Sequence, residues 1–419
     1  MFAFNGGPRQ RTGAPLNASS SLNREKFVRV LHVITRMIIG GAQENTLLNC
    51  LDLVQLYGDD VLLVTGPALG PEGDLISQGR TGDLPVRMID SLRRNIHPLR
   101  DATAARQLRQ VIRQYKPDVV HTHSAKGGML GRWAGWAEKV PAVVHTVHGA
   151  PFHPYQPAAS RRFFAACERW AAKRCHRLIS VADAMTDLMV DACVAPREKF
   201  ITIHSGMNVQ PFYDADQHRT EMRRHYGFVD EDIVIGKIAR LFHLKGHADL
   251  IESAKDVVAA NARVKFLLVG DGILKDSLQR RVDELGLTKH FVFAGLVPPT
   301  DVPRQLSAMD GLAHTSYREG LARALPQALI AGRPVVSYDV DGAREVCISG
   351  ETGFLVPPGD IEALTRALID LAADPQQRQT MGNAGRSRFT DQFKHETMTR
   401  RIRDLYEELL AESGAHTGS

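Results

Sequence analysis

The sequence predicts an α/β protein of two doubly wound, Rossmann-like domains, each built on a parallel sheet, facing each other across a cleft. Three observations carry that expectation. At 419 residues the chain is too long for one ordinary core, and two domains of about 200 residues are the natural division. From position 28 onward short apolar runs alternate with helical patterns, as in repeated βαβ units. The series is interrupted once, over 207–232, by Met207-Asn208-Val209 and the charged run Asp230-Glu231-Asp232. Residues 27–206 and 233–393 therefore read as the domains and 207–232 as a linker.

The first 26 residues are rich in Gly, Pro, Ser and Asn and read as a disordered tail, as do 412–419. Strands of the first half are expected at 28–34, 61–65, 119–121, 142–146, 178–181 and 201–204, and those of the second at 233–239, 265–269, 292–294, 311–314, 335–338 and 353–356. A last helical pattern covers 394–411. Ligands of such sheets collect where strands end in loops, so those loops are where chemistry is expected.

In the second half, Glu319-Gly320-Leu321 follows the strand at 311–314, and the pattern predicts a helix over 319–331, stopped by Gly332-Arg333-Pro334. A helix start offers unpaired amides and a positive dipole end to an anion. Arg240 and Lys245 follow the strand at 233–239 and would face that helix start if the two strands are neighbours. Val269-Gly270-Asp271-Gly272 ends its strand like a nucleotide-binding turn.

In the first half, Gly40-Gly41-Ala42-Gln43 opens a helix after the first strand, and glycine amides there can approach an anion closely. His123, Ser124 and Lys126 leave another strand end into a helix, and alternation along that strand predicts one of His121 and His123 buried and the other exposed. A zinc site at that pair is not expected. His148 stands at the end of its strand before Gly149 and the loop Pro151-Phe152-His153-Pro154, either facing the cleft or as a hydrogen-bonded packing histidine.

These residues resemble the nucleotide-sugar-dependent retaining glycosyltransferases of family 4, which have the GT-B architecture, over nearly the whole chain from Val28 to about Leu410. The resemblance implies that Arg240 and Lys245 hold the donor pyrophosphate, that Glu319 lies against the donor sugar, and that the amides of Gly320 and Leu321 meet sugar and phosphate. The family's E-x7-E motif reads here as Glu319 to Gln327, so an amide stands where the second Glu usually takes the ribose hydroxyls; it can still accept from one hydroxyl and donate to another. By the same resemblance the loop at Gly40 and Gly41 sits near donor phosphates and acceptor, His148 touches donor sugar or acceptor, and Val297 reads the base. With Gly41, Gly270 and Asp271 on the donor side, the acceptor side is assigned to Gly40, Gln43, His123 and Lys126. The final helix should cross back onto the first domain.

The implied reaction is front-side substitution, in which the acceptor hydroxyl attacks the anomeric carbon on the face the nucleotide leaves. Fixed cations would stabilise the leaving pyrophosphate, so no metal or other cofactor is expected. The D-x-D pattern occurs three times, at Asp214 to Asp216, Asp230 to Asp232 and Asp339 to Asp341, which shows how unspecific it is; the last is read as a non-metal loop lining the donor sugar. UDP is the expected nucleotide, and a glycan or lipid-linked saccharide the expected acceptor.

Composition is that expected of an ordinary soluble globular protein, with 43% hydrophobic and 24% charged residues. The five cysteines form no C-x-x-C pair, so neither a disulfide framework nor a zinc site is indicated. No apolar run reaches a membrane span and no signal-peptide core is visible, so a cytoplasmic location is expected. The segment from Arg161 to Arg177 is basic and aromatic at helical spacing: it could lie on an anionic inner-leaflet surface, or bury Phe163, Phe164 and Trp170 in the domain core. A net charge of +5 without a nucleic-acid motif gives no support for a nucleic-acid partner. A dehydrogenase would need G-x-G-x-x-G after the first strand, which the Gly40-Gly41 loop lacks. A sugar-nucleotide epimerase of the same architecture and a non-catalytic donor-binding scaffold remain as alternatives.

Overall fold

In a computed structural model, residues 27–69 and 73–416 are described; the expected tail at 1–26 and the last three residues lie outside them. The first sheet contains β1 (Arg29–Arg36), β2 (Asp60–Gly66), β3 (Val86–Met88), β4 (Val119–His123), β5 (Ala142–Val147), β6 (Arg177–Ser180) and β7 (Phe200–Thr202), in the order β3-β2-β1-β4-β5-β6-β7. The second contains β8 (Ile233–Ile238), β9 (Val264–Val269), β10 (Phe291–Gly295), β11 (Gly311–His314), β12 (Val335–Tyr338) and β13 (Gly353–Val356), in the order β10-β9-β8-β11-β12-β13. Neighbouring strands within each sheet run parallel. Only β3 was not anticipated: it is a three-residue edge strand, Val-Arg-Met, without a buried residue to mark it.

Helices cover both faces of each sheet, so the inner strands are buried throughout and read as apolar runs. In β4 all five residues are buried, the two histidines included. The expectation that one of His121 and His123 would be exposed fails for that reason, since alternation separates core from solvent only in a sheet with one wet face. Each sheet builds outward from its first strand to one side and then restarts on the other, between β1 and β4 and between β8 and β11. The loops leaving these pairs diverge and open a crevice.

Residues 207–232 are not a free linker. They fold into short helices at Gln210–Tyr213 and Arg219–Tyr226, and Met207, Phe212, Met222 and Phe228 are buried in the core of the second sheet. The final helix, His395–His416, runs past the expected end at 411 and packs against the first domain. Met398, Ile402, Leu405 and Leu409 form its apolar stripe and join Val30, Leu47 and Leu53. Its polar contacts are equally specific: Thr399 accepts from Asn49 at 3.1 Å, His395 meets Asp52 at 2.8 Å, and Tyr406 OH lies 2.5 Å from His121 Nδ1. Arg403 Nε donates to Asp59 Oδ2 at 2.8 Å, with both side chains almost wholly buried.

Removing one partner of such a buried pair strands the other charge. Arg403→Ala is expected to lower stability by about 3–5 kcal/mol in urea unfolding followed by circular dichroism, whereas Arg366→Ala, which breaks an exposed pair with Glu362, should cost less than about 0.5 kcal/mol.

Candidate active site

The second-domain half of the crevice is made by the loops after β8 and β11. Gly246 has φ +62°, and a Cβ there would fall 1.8 Å from the Thr315 carbonyl oxygen, so only glycine lets these loops touch. Thr315 Oγ1 donates to Gly246 O at 2.5 Å. Just before this contact Lys245 pairs with Glu319 Oε1. The Glu319 amide donates to Asp341 Oδ2 at 2.6 Å, and the Gly342 amide donates to Gly320 O at 3.0 Å. These two bonds hold Glu319, Gly320 and Leu321 in a loop. The helix expected over 319–331 is only Ala324–Ile330, and the positive helix end expected at Glu319 is replaced by a carboxylate on a loop. Arg240 stands exposed on the neighbouring loop, its guanidinium 5.0 Å from the centre of the Phe242 ring.

The expected nucleoside side is also assembled by close backbone approaches. A Cβ on Gly270, at φ +138°, would lie 2.1 Å from Ala239 O, which presses this turn onto the loop leading to Arg240. The Gly270 amide donates to Gly295 O at 2.8 Å, and the exposed Asp271 turns its carboxylate back to the Gly272 amide at 2.7 Å. Val297 is partly buried against the second-domain core. Gln327 lines a cavity of about 190 Å³ together with Pro299, Thr300, Arg323 and Glu44. The loop after β10 and the first domain thus meet at the residue that replaces the second glutamate.

The first domain closes over this half. Gly40 precedes the helix Gly41–Tyr57, and Gly41 sits so near the second domain that a Cβ would be 2.9 Å from Arg323 Cδ. Arg323 pairs with Glu44 at 2.7 Å, Arg318 donates to Ala150 O at 2.7 Å, and the Ala184 amide donates to Glu345 at 3.0 Å. Between the domains lies a cavity of about 400 Å³ bordered by Gly149, Phe152 and Tyr155 on one side and Lys245, Glu319 and Asp341 on the other. Arg318, Arg323 and Glu44 were missed by sequence reasoning. Their roles depend on which loops face each other across the domains, which no local pattern encodes.

A second cavity, of about 380 Å³, opens from the first domain at the ends of β1 and β4. Gln43 and Lys126 line it, with Met129, Leu130, Phe163 and Phe164. Lys126 Nζ is anchored by Asp101 and by Asn95 O, each at 2.7 Å. His123 does not line it as expected. It is buried beneath His148, whose Nε2 lies 3.1 Å from His123 Nδ1. Along the helix Ala158–Ala172, Phe164 packs inward while Phe163 is 54% and Trp170 is 41% exposed, so the reading with all three aromatics in the core does not hold.

Among the described residues one group could hold a metal ion: a ring nitrogen each from His32, His121 and His123 lies within 4.8 Å of the others. Hydrogen bonds to one another, His148, Tyr406 and Thr146 already engage these rings, with only His32 Nε2 unpartnered. At the D-x-D pattern, Asp339 is held by Arg344 at 2.7 and 2.9 Å and Asp341 by the Glu319 amide.

Burial pushes the Glu319 carboxyl upward, but His314, 3.8 Å away, and the adjoining Lys245 ammonium together outweigh it and hold the group ionised below its usual range. Behind this pair lies Lys237, fully buried and 2.8 Å from Thr315 Oγ1. Burial, helped by the Lys245 charge, pushes its ammonium down to about 7. Burial likewise pushes His148 down to about 4, leaving it neutral at pH 7.

The two sheets, the domain-spanning crevice and the returning helix define the GT-B class. HepE from Anabaena, solved in complex with UDP, superposes with a TM-score of 0.77 at 22% identity, covering 91% of this chain and 100% of that one. Residues 40–206 match the glycosyl transferase 4-like domain and residues 218–388 match glycosyl transferases group 1. A 2-deoxystreptamine N-acetyl-D-glucosaminyltransferase of Streptomyces fradiae is 30% identical over 290 residues, 65% of this chain and 67% of its own length. The UDP-Gal:alpha-D-GlcNAc-diphosphoundecaprenol alpha-1,3-galactosyltransferase of Escherichia coli is 26% identical over 386 residues, 91% of this chain and 97% of its own length. The chain belongs to family 4 of the glycosyltransferases.

The Lys237 environment makes a prediction about stability. Unfolded, the lysine holds its proton up to its ordinary value, whereas in the fold it loses it above about 7. The unfolded state binds more protons between those values, so stability rises with pH across that window. Lys237→Met removes this dependence, and its urea-measured stability relative to the parent should fall by about 3 kcal/mol between about pH 7 and 10.

Proposed function

We propose that the protein is a retaining transferase that moves a sugar from a UDP-linked donor to a lipid-linked saccharide without a metal. The observation that carries this reading is the ion-paired Lys245 and Glu319, which border the interdomain cavity opposite the segment 149–155. Lys245 and Arg240 meet the pyrophosphate, Glu319 accepts from donor-sugar hydroxyls, and Gln327 and Val297 hold ribose and base. The acceptor hydroxyl attacks the anomeric carbon on the face from which the phosphate leaves. The departing phosphate oxygen takes the hydroxyl proton, while the cations stabilise the negative charge that develops on it. Metal-free chemistry is favoured by the engagement of Asp339 by Arg344 and of Asp341 by the Glu319 amide.

The acceptor enters from the first-domain side. A chamber that joins the apolar Met129, Leu130 and Phe164 to the polar Gln43, Lys126, Arg36 and Arg94 suits an amphipathic acceptor, and a diphosphoundecaprenol-linked acceptor is named for the Escherichia coli relative. Exposed Phe163 and Trp170 on a helix carrying Arg161, Arg162 and Arg169 give that side a face suited to an anionic bilayer. No helix among the described residues is long and apolar enough to cross a membrane.

The test incubates purified protein with UDP-, GDP- and ADP-sugars and short polyprenyl-diphosphate saccharides, following product and anomeric configuration by mass spectrometry and NMR. The expected result is transfer from a UDP-sugar with retention in the presence of a chelator, falling about 100-fold or more in Arg240→Ala and in Lys245→Ala. Conversion of the donor without acceptor would favour an epimerase, and saturable donor binding without any turnover would favour a scaffold.

A further inference from the structure

Beneath the cleft three imidazoles form one hydrogen-bond chain. His32 Nδ1 lies 3.0 Å from His123 Nε2, and His123 Nδ1 lies 3.1 Å from His148 Nε2. The rings lie nearly parallel and edge to edge along the same path, with centroids 5.3 Å apart for His32 and His123 and 5.4 Å apart for His123 and His148. His121 lies beside the chain but does not join it, because Tyr406 and Thr146 engage its two nitrogens at 2.5 and 2.7 Å. Burial holds the three chain members neutral at pH 7, with His32 pushed down to about 3, His148 to about 4 and His123 well below its ordinary value.

A neutral imidazole carries one N–H and one lone pair, so each link has one donor and one acceptor. Choosing the tautomer at either end therefore fixes all three. The inner end makes the choice. His32 Nε2 is buried and has no protein partner. A proton there would leave a buried N–H without an acceptor, which folded proteins avoid more strictly than an unused lone pair. With the lone pair at Nε2, His32 donates from Nδ1 to His123 Nε2, and His123 donates from Nδ1 to His148 Nε2. His148 then carries its own proton on Nδ1, the nitrogen left over by the chain, and lines a cavity of about 260 Å³ with Ser124, Gly149 and Pro151.

We infer that His32 and His123 are positioning residues that hold His148 as its Nδ1–H tautomer, so that the cleft meets a fixed hydrogen-bond donor rather than a base. The ligand group this recognises is an oxygen lone pair, such as a sugar hydroxyl of the bound donor. The tautomer follows from the chain alone, whereas the identity of the recognised group rests on the donor-site reading above. A donor at His148 also fits a reaction in which the leaving phosphate, not the protein, takes the proton of the attacking hydroxyl.

The experiment uses the full chain labelled with 15N-histidine, its ring nitrogens read by long-range 1H–15N correlation at pH 7, with His148 identified by the signals lost in His148→Asn. The expected spectrum shows a protonated Nδ1 and a bare Nε2 for His148. In His32→Phe, which removes the inner donor, the His148 signals should move toward the opposite tautomer. His32→Gln, whose amide can donate to His123 Nε2, should restore them. Calorimetry should show UDP-sugar affinity about 10-fold weaker in His32→Phe, recovered in His32→Gln, with affinity for free UDP unchanged.

A protonated Nε2 on His148 in the parent protein would overturn the inference. So would stoichiometric zinc on the chain, found by elemental analysis, together with a tautomer that changes on chelation. If His32→Phe does not fold, the parent spectrum and His32→Gln still decide the tautomer. A tautomer that behaves as expected while UDP-sugar and UDP affinities both stay constant would support the chain and count against the donor-site reading.

Discussion

A parallel sheet covered by helices on both faces leaves polar chemistry only the edges where its strands end, and here both sheets use the same edge. The restart of strand order between β1 and β4, and again between β8 and β11, separates the outgoing loops at one point in each domain. Every polar group assigned to the interdomain cavity depends on that arrangement. Lys245 and Glu319 meet because β8 and β11 are adjacent and parallel, with Leu312 opposite Gly236, although 74 residues separate the pair in sequence. The glycine contact at Gly246 and the carboxylate of Asp341 then set the loop heights, and Arg318 and Arg323 carry the second-domain loops against the first domain.

The interior beneath the crevice is unusually polar for such a sheet. His32, His121 and His123 occupy core positions of β1 and β4, and Lys237 does so in β8. Apolar side chains there would pack without the desolvation penalty that these groups incur. What the polar residues provide is direction. Lys237 anchors Thr315, which in turn bonds Gly246 beside Lys245. The imidazole chain ends at His148, and Tyr406 links the histidine cluster to the returning helix, so the support for the site reaches the final helix.

Much of the fold could be read from the sequence because buried parallel strands are apolar runs with Gly and Pro at their ends. Strand limits at 311–314, 335–338 and 353–356 agree with the structure to the residue. β3 was invisible because an exposed three-residue edge strand carries no apolar signal. The segment 207–232 misled because its charged run masked buried positions at Phe212, Met222 and Phe228 spaced by short helices. At the site, Lys245, Glu319 and His148 were legible as polar residues at strand ends. The length of the helix after Glu319 was not, since the bonds that delay its start come from Asp341 and Gly342 in a distant loop. The burial of His123 was missed by applying the rule for a one-sided sheet to a two-sided one, and Arg323 and Arg318 needed the domain arrangement itself.

The central claim is that one ligand is held by both domains at the ends of β5, β8 and β11. Hydrogen–deuterium exchange of the full chain with and without a saturating UDP-sugar tests it directly. The account predicts slowed exchange together at 148–150, 244–247 and 318–324, with the rims at 40–44 and 341–345 following. Protection confined to one domain, or lying away from the crevice, would contradict it.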